Sequence, residues 1–418
     1  MVKRQYDWQN GPKLDSHTAR KHKVIREYFA EYLRVRCKLP QQQKFRVAVV
    51  DGFAGGGRYL DGSPGSPIIF IEEMIAASNK LNIDRAIDGM QPIELECLLI
   101  LNDAKRDVVA VLQDAVAEAI MGIKELAPKL TLHIEFRSKK FERLYPEIEK
   151  MLGAVKVKNI LVNLDQCGTR HIELSTLKRI MRLSGSVEIF YTFMIDSLLA
   201  YLRKTDPSAL QKQMGSYGVD PDQLSNLDGL ISAERWLGRA EMLVYNAFKD
   251  VAAFHSPFSI NNPEGWRYWL VHFSKNYRAR QVYNQVLHDN ASSQAHFGRS
   301  GLNMMAYDPD DEGSPYFFDA EGRADALRLL YDDVPNWISA SGDAMLVEDF
   351  YESAYNDTPA HAKDINDAIM SNPDIDVITP NGGARRAANA IRVGDTLRLS
   401  NQRSFHILGE WGLSPKVK

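Results

Sequence analysis

Along the first half of the chain, short runs of apolar and β-branched residues alternate with amphipathic stretches. Residues 16 to 36 place Val24, Ile25, Tyr28, Phe29, Tyr32 and Leu33 at helical spacing with polar residues between them, which predicts an amphipathic helix. Ser16 or Thr18 is the candidate N-cap, and the helix should end before Pro40. Phe45 to Val50, broken only by Arg46, reads as a buried strand entering a Gly-rich turn. Pro67 opens a helical pattern from Ile68 to Asn79, and the polar stretch Asn82 to Gln91 predicts a loop. Strand and helix patterns then take turns: Leu95 to Leu101, Ala104 to Ile123, Leu130 to Phe136, Phe141 to Leu152, Asn159 to Leu164, Leu174 to Leu183 and Val187 to Phe193. Repeated βα units with short connections predict an α/β chain with an open, mostly parallel sheet covered by helices on both faces.

The second half loses this rhythm. Residues 198 to 255 give about three helical patterns with no strand candidate, Ala233 to Ala253 among them. They predict an inserted helical lobe of about 198–260. Strand character returns at Tyr268 to Phe273, followed by a helix from Arg278 to His288 and a strand near Leu302 to Tyr307. The acidic, turn-rich Asp308 to Ser314 predicts a boundary. Beyond it a mostly helical tail ends in Ile391 to Leu399, which reads as a hairpin after the basic turn at Arg385 and Arg386. Helix, basic turn and hairpin suggest a winged-helix-like α+β module. The predicted organisation is a helical cap (1–44), an α/β core (45–308) with its insertion, and a C-terminal domain (315–418).

Composition narrows the classes. With 44% hydrophobic residues in 418, the chain can bury a full core. The formal charge of −3 gives no global reason for polyanion binding, leaving only local basic groups such as Lys275, Arg278 and Arg280. The chain has no apolar run long enough to span a bilayer, so a cytoplasmic, non-membrane location is expected. Cys37, Cys97 and Cys167 lie far apart without Cys-x-x-Cys spacing, which argues against a disulfide framework and against a zinc knuckle. Asp308, Asp310 and Asp311 are the only dense carboxylate set and sit in the predicted linker, so no metal site is expected. His272 and His288 read as packed residues.

The chemistry concentrates at predicted strand ends. In Asp51-Gly52-Phe53-Ala54-Gly55-Gly56-Gly57, glycines allow a tight turn and close backbone approach to a ligand. The loop is either a cofactor cradle or a plain tight connector. As a cradle it suits S-adenosylmethionine, with the Asp51 carboxylate receiving the amino acid part of the cofactor and Gly55 and Gly57 shaping the turn. Asp103 follows the second strand, where an acid takes ribose hydroxyls, or else caps the helix after it. It lies about 50 residues beyond Asp51 rather than the roughly 20 of a compact dinucleotide site. Asp165, in Asn163-Leu164-Asp165-Gln166-Cys167-Gly168, is the candidate catalytic residue that orients a methyl acceptor, or a turn residue satisfying backbone amides. His17, Lys21 and His22 form a polar cluster on the first helix, either a lid over the cofactor or substrate, or a solvated face.

Taken together, Trp8, Gly11, His17-Thr18-x-x-Lys21-His22, Asp51 to Tyr59 and Gly62-Ser63-Pro64-Gly65-Ser66-Pro67 resemble the three-Cys-motif partner family over about the first 300 residues. The resemblance implies a Rossmann-like, class I methyltransferase sheet encoded in bacteria or phages, and a partner with a three-cysteine, radical-enzyme-like motif. In relatives the fourth-strand motif looks like Asp-Pro-aromatic-Gly, whereas here Gln166 and Cys167 replace the middle pair. Two functions are therefore expected to compete. One is an S-adenosylmethionine-dependent methyltransferase acting on nucleic acid or a nucleotide, with the cofactor on Asp51, Phe53, Ala54, Gly55, Gly57 and Asp103. The other is a catalytically degenerate scaffold that serves as a binding module.

Overall fold

The computed structural model describes residues 7–166, 172–194, 244–261, 267–290, 295–297, 302, 315–317 and 320–400. Cys167, Gly168, most of the expected helical lobe, the 303–307 part of the expected strand and Asp308 to Ser314 lie outside the described residues.

Nine strands form one sheet: β1 (Lys44–Asp51), β2 (Glu94–Asn102), β3 (Leu130–Arg137), β4 (Asn159–Leu164), β5 (Ser186–Phe193), β6 (Phe254–Asn261), β7 (Arg267–Ser274), β8 (Ala295–Phe297) and β9 (Pro315–Phe317). Their order is β3-β2-β1-β4-β5-β7-β6-β8-β9. The first five run parallel, and β7 pairs antiparallel to both β5 and β6. The expected mixed α/β fold with a mostly parallel sheet is therefore present. Register places Asp51 beside Asn163 on one side and Leu101 on the other, so the carboxyl ends of β1, β2 and β4 finish level. That edge, where the order reverses between β1 and β4, is where open α/β sheets bind ligands.

Helices cover both faces. On one face lie α1 (Ser16–Arg36), α2 (Ser66–Ile87), α3 (Arg106–Ala119) and α7 (Tyr277–Asp289), with the four-residue α4 (Ile123–Leu126) following α3. On the other lie α5 (Phe141–Val155) and α6 (Leu174–Met181) together with residues 244–251. The α1 stripe from Val24 to Leu33 is buried as its spacing predicts. Asp15, not Ser16 or Thr18, is its N-cap. At roughly 1.5–3 kcal/mol per large apolar side chain, the core it helps to form on this face and the core on the opposite face dominate stability.

Three expectations need correction. The stretch from Asn82, expected to be a loop, continues α2 to Ile87. Its polar residues are spent on tertiary bonds: the Asn82 amide brackets Ile93 through its N–H and carbonyl, and the buried Arg85 donates to the carbonyls of Cys37, Leu39, Pro40, Gln42 and Gln91. The helical lobe cannot extend to 260, because Phe254–Asn261 is β6. Pro257 hid that strand, yet β6 pairs with β7 in unbroken register from Phe254 to Asn261, with Pro257 opposite Val271. Finally, Ile391 to Leu399 is no hairpin but a turn leading to a single strand, β12 (Thr396–Leu399).

The C-terminal unit runs α8 (Ala320–Ala340), β10 (Ala344–Leu346), α9 (Val347–Ala354), α10 (Ala362–Ser371), β11 (Ile375–Ile378) and β12, its antiparallel sheet ordered β10-β12-β11. The buried Asp395 accepts a two-pronged salt bridge from Arg385 and the amide of Arg392, which fixes the turn. This unit does not start cleanly after a linker. Pro315–Phe317 belongs to the large sheet, and Phe254, Tyr277 and Leu302 share the C-terminal core. Among the described residues no helix is long and apolar enough to cross a membrane.

Arg85→Met should lower the urea midpoint by an amount equivalent to roughly 2–4 kcal/mol, because it strips the partner from several buried carbonyls at once. A denaturation curve that superimposes on wild type would refute this role.

Candidate functional site

The site begins with a carboxylate that β1 carries out of water. Asp51 is fully buried, and its oxygens accept from Ser66 Oγ at 2.6 Å and from the Phe53 amide at 3.3 Å. Burial pushes its pKa up to about 7; the Ser66 and Phe53 bonds oppose the rise, and the negative charge of Asp165 adds to it. No basic side chain pairs with it among the described residues.

The loop after Asp51 is held at several points. Gly52 N–H donates to Asn163 O at 2.9 Å, and Ala54 N–H to Asn102 O at 2.8 Å. The Ala54 amide is thus already occupied, and its buried methyl packs in the core. Gly55 and Gly57 adopt φ of +61° and +88°, a region costly for other residues. A Cβ on Gly55 would lie 2.3 Å from the Trp8 indole, so Trp8 forms one wall of the loop. Phe53 stacks on Phe141 with centroids 6.0 Å apart.

Asp103 comes to the same place from β2. Its carboxylate accepts from Lys105 N–H at 3.0 Å, and burial raises its pKa against the Lys105 and Gly55 amides. The helix after it starts at Arg106 with Lys105 as N-cap, so Asp103 closes a local turn and is not the helix cap.

The first helix overhangs this edge. Thr18, Lys21 and His22 are buried rather than solvated. Lys21 Nζ lies 2.5 Å from both carboxylate oxygens of Asp165. Burial works to raise the Asp165 pKa, but Lys21, through charge and hydrogen bond, outweighs it and holds the carboxyl below its usual value. Asp165 is therefore an ion-paired, largely buried carboxylate; the turn amides after Gln166 lie outside the described residues. His22 is kept neutral, its pKa lowered to about 4 by burial and then by Lys21. His22 Nδ1 and Gln166 Oε1 are buried with no hydrogen-bond partner among the described residues. His17 stands apart from the group, stacked on Tyr268 at 4.9 Å.

Four contributors were missed at the sequence level. Asn102 ties the two loops together, donating to Gly52 O and Lys139 O and accepting from Lys139 N–H. Asn163 accepts from Gly52, Ser66 holds Asp51, and Gln166 donates to Tyr191 Oη at 2.7 Å. Asn102, Ser66 and Gln166 are polar residues bordering an apolar run, the signal that could have found them, whereas Asn163 accepts from Gly52 through its main-chain carbonyl, which no residue type signals. The surface basic group expected at Lys275, Arg278 and Arg280 does not form, because Arg280 is fully buried. His272 and His288 are packed, as expected.

No family model and no curated protein matches this chain. Among solved structures it is similar to the O-methyltransferase TomG from Streptomyces achromogenes, involved in tomaymycin synthesis and crystallised in complex with S-adenosylmethionine. Identity is 11%, covering 63% of this chain and 92% of that chain, with a TM-score of 0.26. A likeness that slight bears on neither mechanism nor substrate.

The raised Asp51 pKa predicts an unusual pH response. Between the ordinary carboxylate value of 3.8 and about 7 the folded state holds a proton that the unfolded state releases, so this residue's contribution to stability falls as pH rises through that window. Asp51→Asn should remove the fall, so that its urea midpoint gains on wild type between about pH 5 and about pH 8. Parallel midpoint curves for the two proteins would contradict it.

Proposed function

We propose that this chain is an S-adenosylmethionine-dependent methyltransferase acting on nucleic acid or a nucleotide, working beside a three-cysteine-motif protein of radical-enzyme type. The reading rests chiefly on Asp51, a fully buried carboxylate without a cationic partner at the level edge of the sheet. Such a group is costly alone and suits a ligand that brings an ammonium. Asp103 follows β2 and accepts from the Gly55 amide, which supports assigning it the ribose diol. The reversed β7 departs from the all-parallel dinucleotide order and suits a class I methyltransferase sheet. The acceptor class and the partner rest on the family resemblance of the sequence.

When bound, the cofactor supplies an electrophilic methyl group. Asp51 would hold its amino acid end, and Gly55 and Gly57, at positive φ and packed against Trp8, Leu112 and Ala115, would shape the turn. Phe53 packs on Phe141 behind the loop. Lys21 keeps Asp165 ionised, and together with burial it keeps His22 neutral. The acceptor then meets a fixed carboxylate and an imidazole Nδ1 able to accept a hydrogen bond, in a site that the first helix closes to water. The order helix, strand, two helices, two strands, with β12 between β10 and β11, supports a winged-helix-like reading of the C-terminal unit.

One observation favours the second reading, a catalytically degenerate scaffold: Lys21 already satisfies Asp165 without any substrate. Calorimetry with S-adenosylmethionine separates the possibilities. Wild type should bind, with affinity reduced roughly tenfold to a hundredfold in Asp51→Ala. Lys21→Met and Asp165→Asn should retain the cofactor yet lose methyl transfer. No heat at high protein concentration, with and without the partner, defeats the cofactor reading. Full biological activity in Asp165→Asn favours the scaffold.

A further inference from the structure

Away from the strand-end site, α7 turns a polar face toward the C-terminal unit. Arg280 and Asn284 both donate to Thr358 O at 3.1 Å, Asn284 also reaches Ala360 O at 3.1 Å, and His288 Nε2 donates to Pro359 O at 3.0 Å. From the sheet side, His255 N–H donates to Asn356 Oδ1 and Tyr245 Oη to Asn356 O, both at 3.1 Å. The joint is thus sealed by side chains that bond main-chain groups, carbonyls in all but the Asn356–His255 bond.

The sealing leaves a charge uncompensated. Arg280 is 0% exposed, and apart from the Nη2 bond to Thr358 O its donors are idle: Nε and Nη1 have no partner among the described residues. No carboxylate pairs with it there. Asp357, half-buried, is felt only at a distance and is shared with Lys249. The groups electrostatically coupled to the guanidinium include Tyr245, Tyr283, Tyr355 and His255. Of these, the His255 ring and the Tyr355 hydroxyl are buried and held no more than loosely, by the Tyr245 backbone and the Gln281 side chain, and Asn284 Oδ1 on the adjacent turn of α7 is buried with no partner among the described residues. Native interiors leave few such atoms, and an unpaired buried cation is among the costliest. Two neighbouring side chains with idle polar atoms, one of them a permanent cation, lie within electrostatic reach of the His255 and Tyr355 donors and form a cluster rather than a single packing defect. Donors outnumber acceptors in it, which selects negative charge.

We propose that this joint holds a small anion, such as a halide, phosphate or carboxylate, on the Arg280 guanidinium. His255 and Tyr355 complete the donors, and Asn284 Oδ1 accepts from an accompanying water. The anion would lock the C-terminal unit against the sheet, independently of any cofactor at Asp51.

The test uses the full chain. Melts in sodium chloride and in sodium phosphate are compared, at fixed ionic strength, with a bulky sulfonate too large for the joint. One or both small anions should raise the wild-type Tm in a saturable manner, by roughly 5 °C. Arg280→Met should be flat and Arg280→Lys intermediate. Response to chloride alone assigns a halide site, and response to phosphate an oxyanion site. Should Arg280→Met fail to fold, wild-type crystals soaked separately in bromide and in selenate should show an anomalous peak at the guanidinium with at least one of the two. Equal anion response in Arg280→Met and wild type, no response in wild type, or no such peak overturns the proposal.

Discussion

A carboxylate at the end of a buried strand cannot be taken out of water by itself, and at β4 the ion pair between Lys21 and Asp165 resolves this. The pair pins the N-terminal end of the first helix over the carboxyl ends of β1 and β4, while farther along Arg26 meets Glu72 and Glu73, Tyr28 meets Glu188 and the apolar stripe packs in the core. From this placement the rest of the site follows. Lys21 helps to hold His22 neutral, and Asp165, kept ionised, helps to push the nearby Asp51 upward. Two carboxylates side by side are driven apart in acidity because only one of them has a cation.

The strand ends themselves were legible. Asp51, Asp103 and Asp165 were each read from an apolar run followed by an acid, and the structure brings them to one edge. The lid residues were not so plain, since Thr18, Lys21 and His22 look like any polar face until the partner across the sheet is known. The same ambiguity turned Asn82 to Ile87 from loop into helix: Asn82 and Arg85 are polar because they bond distant backbone, a purpose invisible in local periodicity. Arg280 is the sharpest instance, a residue that looks like part of a surface cluster and is in fact interior. Periodicity reports burial of apolar side chains well, and it is silent on polar groups that are buried because something binds them.

The C-terminal unit is integrated by similar means. Its core draws in Phe254 and Tyr277 from the sheet and its following helix, and the 358–360 backbone is held by side chains spaced four apart on α7. A linker-and-tail picture, natural from the acidic stretch before it, therefore understates the coupling. Bonds from side chains to main-chain carbonyls are indifferent to which residue supplies the carbonyl, so the joint constrains backbone path more than sequence on the C-terminal side.

Pro257 has a consequence beyond hiding a strand. Proline brings no N–H to a ladder and is a poor strand former by itself. Yet β6 pairs with β7 in unbroken register from Phe254 to Asn261, with Pro257 opposite Val271, and its residues from Phe254 to Ile260 are buried. The strand is therefore made by the neighbour it lies against, and its own sequence only has to permit it.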